Sequence, residues 1–139
     1  MKRLENTLKK YLIKIMGTRW DVQSHEDQYS EGIPDLSFGI NGVNGWIELK
    51  QIEKWPKKQI TKVKPKKFTS EQINWINKRE KKGGHCFILV KIEKEYFLFY
   101  PNWAKRIKEG LTETEYNSYC IAKWDKSINI DDFINIIAS

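Results

Sequence analysis

Apolar residues recur at helical spacing through Met1–Met16: Leu4, Leu8, Tyr11, Leu12 and Ile15 form a stripe, with Lys2, Lys9, Lys10 and Lys14 elsewhere on the circumference. Gly17 stops this helix. Trp20–Gln28 reads as a strand poor in apolar residues, hence an edge strand or one lying under a site. Two short apolar runs, Leu36–Ile40 and Trp46–Leu49, flank a stretch carrying Gly39, Asn41, Gly42, Asn44 and Gly45. That is a β-hairpin pattern, because Gly and Asn accept the positive φ of tight reversals. Pro34 has no N–H and suits the mouth of the first strand.

Phe68–Lys82 is expected to be helical, with Thr69 and Gln72 spaced as a capping box and Gly83-Gly84 as the stop. The unbroken apolar run Cys86–Val90 within His85–Lys91 predicts a strand buried on both faces, and Tyr96–Tyr100 its partner after a turn at Glu93-Lys94. Beyond Pro101 the pattern weakens. Asn102 is a candidate cap for a short helix through Lys108, Tyr119–Trp124 a candidate added strand, and Asp131 a candidate N-cap for a closing helix with Phe133, Ile134 and Ile137 inward. That apolar tail either packs on the sheet or forms a dimer contact. The order helix–strand–strand–strand–helix–strand predicts an α/β sandwich, a mixed sheet with helices on its faces.

The chain has 139 residues, 40% of them hydrophobic, which suits one domain with its own core rather than a disordered tail. We expect residues 1–139 to form this unit, the core spanning about 1–100 and an extension about 101–139. The formal net charge is +7, which points to a polyanionic partner. No apolar run has the length of a membrane span, and the N-terminus lacks a signal peptide's apolar core, so no membrane partner is expected. Cys86 and Cys120 are far apart and suggest neither zinc nor a disulfide framework. A cytoplasmic protein is the default expectation.

The hairpin carries the candidate chemistry. Side chains alternate along a strand, so Glu48 and Lys50 share one face and Ile47 and Leu49 the other. The hairpin can fold Asp35 back beside Glu48. Two carboxylates and a lysine then converge, and hard oxygen ligands suit Mg2+, which keeps several waters and takes other ligands from substrate phosphates.

The pattern Pro34-Asp35 followed by Glu48-Leu49-Lys50 resembles the PD-(D/E)xK nucleases. The fuller string Glu26-Asp27, Gly32-Ile33-Pro34-Asp35-Leu36, Gly45-Trp46-Ile47-Glu48-Leu49-Lys50 and Gln72 resembles their small VRR-NUC and Holliday-junction-resolvase-like branch, often phage-encoded, over about residues 1–100. The resemblance implies a restriction-endonuclease-like αβββαβ core. It implies an endodeoxyribonuclease that uses Mg2+, with Mn2+ as a substitute. Asp35 and Glu48, with the Leu49 carbonyl, are the implied metal ligands, and Lys50 the residue that orients water or stabilises developing charge.

Related resolvases carry a glutamate on the first helix, which makes Glu5 a candidate ligand; the alternative is a solvated carboxylate favoured by the helix dipole. Glu26 matches an acidic position ahead of the Gly-x-Pro-Asp string, with Asp27 as its substitute in another register. Gln72 reads either as the capping partner or as a site residue, and the resemblance favours the site. His25 has no visible nucleophile partner and is set aside.

Lys54, Lys57, Lys58, Lys62, Lys64, Lys66 and Lys67 crowd the segment after the hairpin, with Trp55, Pro56 and Pro65 among them. Mutual repulsion and proline predict a mobile loop that neutralises DNA phosphates, with Trp55 stacking on an exposed base. A structure-selective enzyme of resolvase type leads the readings. Cutting two strands symmetrically implies a homodimer. A nicking, homing or restriction-type endonuclease and a non-catalytic DNA-binding accessory protein are the alternatives.

Overall fold

The computed structural model describes residues 2–25 and 32–139, with residues 2–6 as backbone only. The elements in order are α1 (Lys2–Met16), β1 (Asp21–Ser24), β2 (Leu36–Ile40), β3 (Val43–Ile52), α2 (Ser70–Lys81), β4 (His85–Ile92) and β5 (Glu95–Phe99). A 3-10 turn at Pro101–Trp103 then runs into α3 (Ala104–Glu109), followed by α4 (Glu113–Tyr119), β6 (Ala122–Asp125) and α5 (Ile130–Ile137). The strands form one sheet in chain order, β1-β2-β3-β4-β5-β6. Among the described residues only β3 and β4 pair in parallel; the other neighbours are antiparallel. The expected αβββαβ order and mixed sheet are both present.

Local chemistry explains the joints. Asn41 and Gly42 stand at φ 50° and 84°, the pair of positive values that a type I′ reversal needs, so the hairpin closes on Ile40 and Val43. Thr69 and Gln72 form the anticipated capping box, each side chain taking the other's backbone N–H.

Helices cover both faces of the sheet. Leu8, Leu12 and Met16 of α1 and Phe133, Ile134 and Ile137 of α5 pack with Leu36, Phe38, Ile47, Leu49 and Leu89 on one face. Ile73 and Ile76 of α2, with Ala104, Ile107 and Tyr116, pack with Ile88, Val90, Phe97 and Phe99 on the other. β4 supplies both cores, as its continuous apolar run requires. The apolar face of α5 is used against its own sheet, and β6 extends that sheet beside β5.

Several sequence expectations change. Of the expected strand Trp20–Gln28, the strand covers Asp21–Ser24, with residues 26–28 outside the described residues, and α4 was not anticipated, although Thr112 and Glu115 cap it in the same manner as Thr69 and Gln72. Asn129, not Asp131, caps α5, its side chain accepting the N–H of Asp132. The lysine-rich segment is tied down: Val63 bridges to Leu111 on both sides, its carbonyl accepts the Tyr116 hydroxyl at 2.9 Å, and Phe68 is buried. Apolar anchors between the lysines overcome the repulsion that suggested a mobile loop.

Candidate active site

The sheet register assembles the site. Ser24 pairs with Leu36, and Leu36 with Ile47. One rung further, Asp35 falls between His25 and Glu48, and the His25 N–H donates to the Asp35 carbonyl at 2.9 Å. The Asp35 carboxylate turns across the ladder and its Oδ2 accepts the Leu49 N–H at 2.9 Å. Continuing the register sets Pro34 opposite Leu49, at the next position where two residues of an antiparallel pair would exchange both bonds. Pro34 has no N–H to give. The Leu49 carbonyl, on the same strand edge as its N–H, therefore faces the mouth between β2 and β3 without a ladder donor from Pro34. Gly32, at φ 88°, lies so close to the backbone of Glu71 that a Cβ would collide with it, which brings the Gly-Ile-Pro-Asp string against the start of α2.

Glu48 and Lys50 project toward α2 and are only 2% and 1% exposed. Lys50 Nζ lies 3.2 Å from Glu48 Oε2. It donates to the Lys67 carbonyl at 2.6 Å and to Gln72 Oε1 at 3.0 Å, and stands 4.6 Å from the centre of the Phe68 ring. Two hydrogen bonds and the ion pair to Glu48 hold the amine in place. Gln72 is the anticipated capping partner, and the Oε1 that accepts the Thr69 N–H at 3.0 Å also accepts from Lys50.

Asp35, Glu48 and the Leu49 carbonyl are hard oxygen donors of the kind that Mg2+ takes alongside retained waters. Among the described residues no cluster of three or more His, Cys, Asp or Glu side chains is poised for a metal ion. Glu5 lies in α1 with its side chain outside the described residues, and Glu26 and Asp27 lie wholly outside them.

The lysines Lys54, Lys57, Lys58, Lys62, Lys64, Lys66 and Lys67 are all exposed, displayed by the anchored segment whose last residue, Lys67, gives its carbonyl to Lys50. Trp55 does not join them. Its indole N–H donates to Glu95 at 2.7 Å and its backbone N–H to Glu93 at 2.8 Å, while its ring meets Phe97 and Tyr116 edge-on at 5.8 Å. The ring, expected to stack on a base, fastens the segment to the sheet.

Sequence reading passed over the neighbours of this rung. The His25 ring bonds Ser37 Oγ at 2.7 Å and leans on Trp46, their centroids 5.0 Å apart. Trp46 meets Trp75 at 4.9 Å, and the Arg79 guanidinium lies 4.5 Å from the Trp75 ring. Strand alternation already set Trp46 on the Glu48 face, whereas the partners from β1 and α2 depend on register. Burial raises the Cys86 thiol to about 11, in keeping with a core residue.

No protein-family model matches the chain, and no curated protein matches it. Among solved structures it is similar to Hjc, a Holliday junction resolvase from the archaeal hyperthermophile Archaeoglobus fulgidus, with a TM-score of 0.54 and 13% identity over 84% of this chain and 92% of that one. Likeness at such low identity speaks to backbone architecture. The six-stranded mixed sheet with helices on both faces thus has the Holliday-junction-resolvase fold, the PD-(D/E)xK-like architecture that the hairpin residues led us to expect.

Proposed function

We propose that this chain is a divalent-metal-dependent DNA endonuclease acting on branched DNA, with Asp35, Glu48 and Lys50 at its centre. The observation that supports the reading is that Asp35 is hydrogen-bonded to the N–H of Leu49, the residue between Glu48 and Lys50, whose buried side chains form an ion pair. Stability gives little reason to keep a buried ion pair, because an apolar pair of similar volume does as well or better. That argues against a purely DNA-binding accessory role.

Asp35, Glu48 and the Leu49 carbonyl are the groups that would hold Mg2+ or Mn2+. When bound, such an ion supplies water of lowered pKa and screens the phosphate. Lys50, anchored by two hydrogen bonds, serves as a positioned cation near the developing negative charge. Gln72 and the Lys67 carbonyl fix its direction. The exposed lysines supply sequence-independent contacts to the phosphate backbone. Symmetric cutting of a junction calls for a two-fold pair of such sites, hence a homodimer.

The test is incubation with Mg2+ and matched linear duplex, single-stranded, flap and four-way-junction DNAs. Symmetric nicks confined to the junction are the expected result. A unique cut in a long duplex supports a nicking, homing or restriction-type enzyme instead, and no cleavage with Mg2+ or Mn2+ overturns the nuclease reading.

A further inference from the structure

Residues of β1, β2 and β3 form an array on the α2 face. Beside the rung of His25, Asp35 and Glu48 lies one of Gln23, Ser37 and Trp46, and beyond it one of Asp21, Gly39 and Asn44. Successive rungs are about 7 Å apart, two residues along a strand. The outer two rungs line an open cavity of about 310 Å3, with Arg79 of α2 at its side. The guanidinium of Arg79 is 5.5 Å from the Trp46 ring as well as close to Trp75. Gly39 opens the floor: a Cβ there would stand 3.3 Å from Asn44 Oδ1 and 3.7 Å from the Asp21 Cβ.

We propose that this cavity receives one unstacked base of the DNA strand whose phosphate lies at the Asp35–Glu48 rung; the identity of that phosphate rests on the nuclease reading. The lining is complementary to a base. A carboxylate, two amides and a hydroxyl can meet the polar edge, while the Trp46 indole and the Arg79 plane can meet a π face. A phosphate is less well served, because Asp21 places negative charge inside the cavity. Cations for the backbone stand outside it, where exposed Lys78 and Lys82 flank Trp75 and Arg79. The volume lies at the small end of ligand sites, about 300 Å3 and upward.

Gly39→Val tests the cavity directly. Residue 39 does not have left-handed φ, and valine suits a strand, so the change fills the floor of a folded protein. Arg79→Ala removes the planar cation. Binding is measured in EDTA, where hydrolysis is silent, to a four-way junction and to single strands containing 2-aminopurine or a single abasic nucleotide, with circular dichroism confirming the fold. Each variant is expected to weaken single-strand binding about tenfold, the scale of losing one stacked base. An abasic nucleotide at the sensitive position is expected to weaken wild type by a similar factor and Gly39→Val not at all. Equal losses in both proteins, wild-type affinity in folded Gly39→Val, or an Arg79→Ala effect confined to the salt slope overturns the proposal. A parallel Mg2+ assay separates the two readings. Cleavage by a wild-type protein whose affinity ignores these changes rejects the cavity and keeps the nuclease. Base-dependent binding lost in Gly39→Val, with no DNA cleaved, does the reverse.

Discussion

The two faces of β3 are equally shielded from water and chemically opposite. Ile47 and Leu49 are 0% exposed against α1 and α5, while Glu48 and Lys50 are 2% and 1% exposed against α2. On the first face burial removes apolar area from water and stabilises the fold. On the second it desolvates two charges, and the hydrogen bonds to Lys67 and Gln72 offset only part of that cost. One face of the strand serves folding, and the other is held in place by it.

The largest effect that tests this contrast is on activity. Asp35→Asn or Lys50→Met should lower metal-dependent cleavage by about a thousandfold, with junction affinity in a gel-shift assay within about twofold of wild type. Wild-type-like cleavage by either variant breaks the assignment.

Stability comes next. Leu49→Ala should lower the unfolding free energy by about 2–5 kcal/mol in denaturant titration, as a core truncation does. Lys50→Met alone should cost about 3–5 kcal/mol, because Glu48 stays buried without that cation, whereas Glu48→Leu combined with Lys50→Met should recover wild-type stability or exceed it. A double variant no more stable than the single would mean that the charged face also serves folding.

A smaller effect separates the two duties of Gln72. Thr69→Ala should cost about 1 kcal/mol of stability and leave cleavage by the folded protein unchanged. Gln72→Ala should cost about the same and also slow cleavage, because Lys50 loses an acceptor. Equal activity in the two variants would reduce Gln72 to a cap.

The smallest effect is at the surface, where charge helps only locally. Glu115 is held below its ordinary value of 4.5, first by the Thr112 N–H and then by neighbours including Arg106. A depressed carboxylate contributes stability above its unfolded pKa and loses it as pH falls through the folded one. Glu115→Gln should therefore narrow the difference in Tm between about pH 6 and about pH 3, read by thermal melts of the two proteins.

Much of this was legible in the sequence, for physical reasons. Alternation set Glu48 and Lys50 on one side of a strand, and Asn41-Gly42 admits few reversals other than the one observed. The run Cys86–Val90 announced a strand buried on both sides. Less legible were features set by distant pairing. The Val63–Leu111 bridge and the hydrogen bonds of Trp55 to Glu93 and Glu95 join positions far apart in the chain, so lysine density alone suggested a free loop. The closing helix is capped two residues earlier than expected because Asn129 and Asp131 both suit that role, and only backbone geometry chooses between them. His25 looked inert because its neighbours Asp35 and Ser37 lie across a strand boundary rather than beside it in sequence.

Pro34 has a consequence for the evolution of such a hairpin. Most other amino acids at that position would offer a hydrogen to the Leu49 oxygen and let the strands zip one step further, sealing the seam. The imino ring acts as a stop on the zipper, so a single codon keeps the seam open beside the acidic pair.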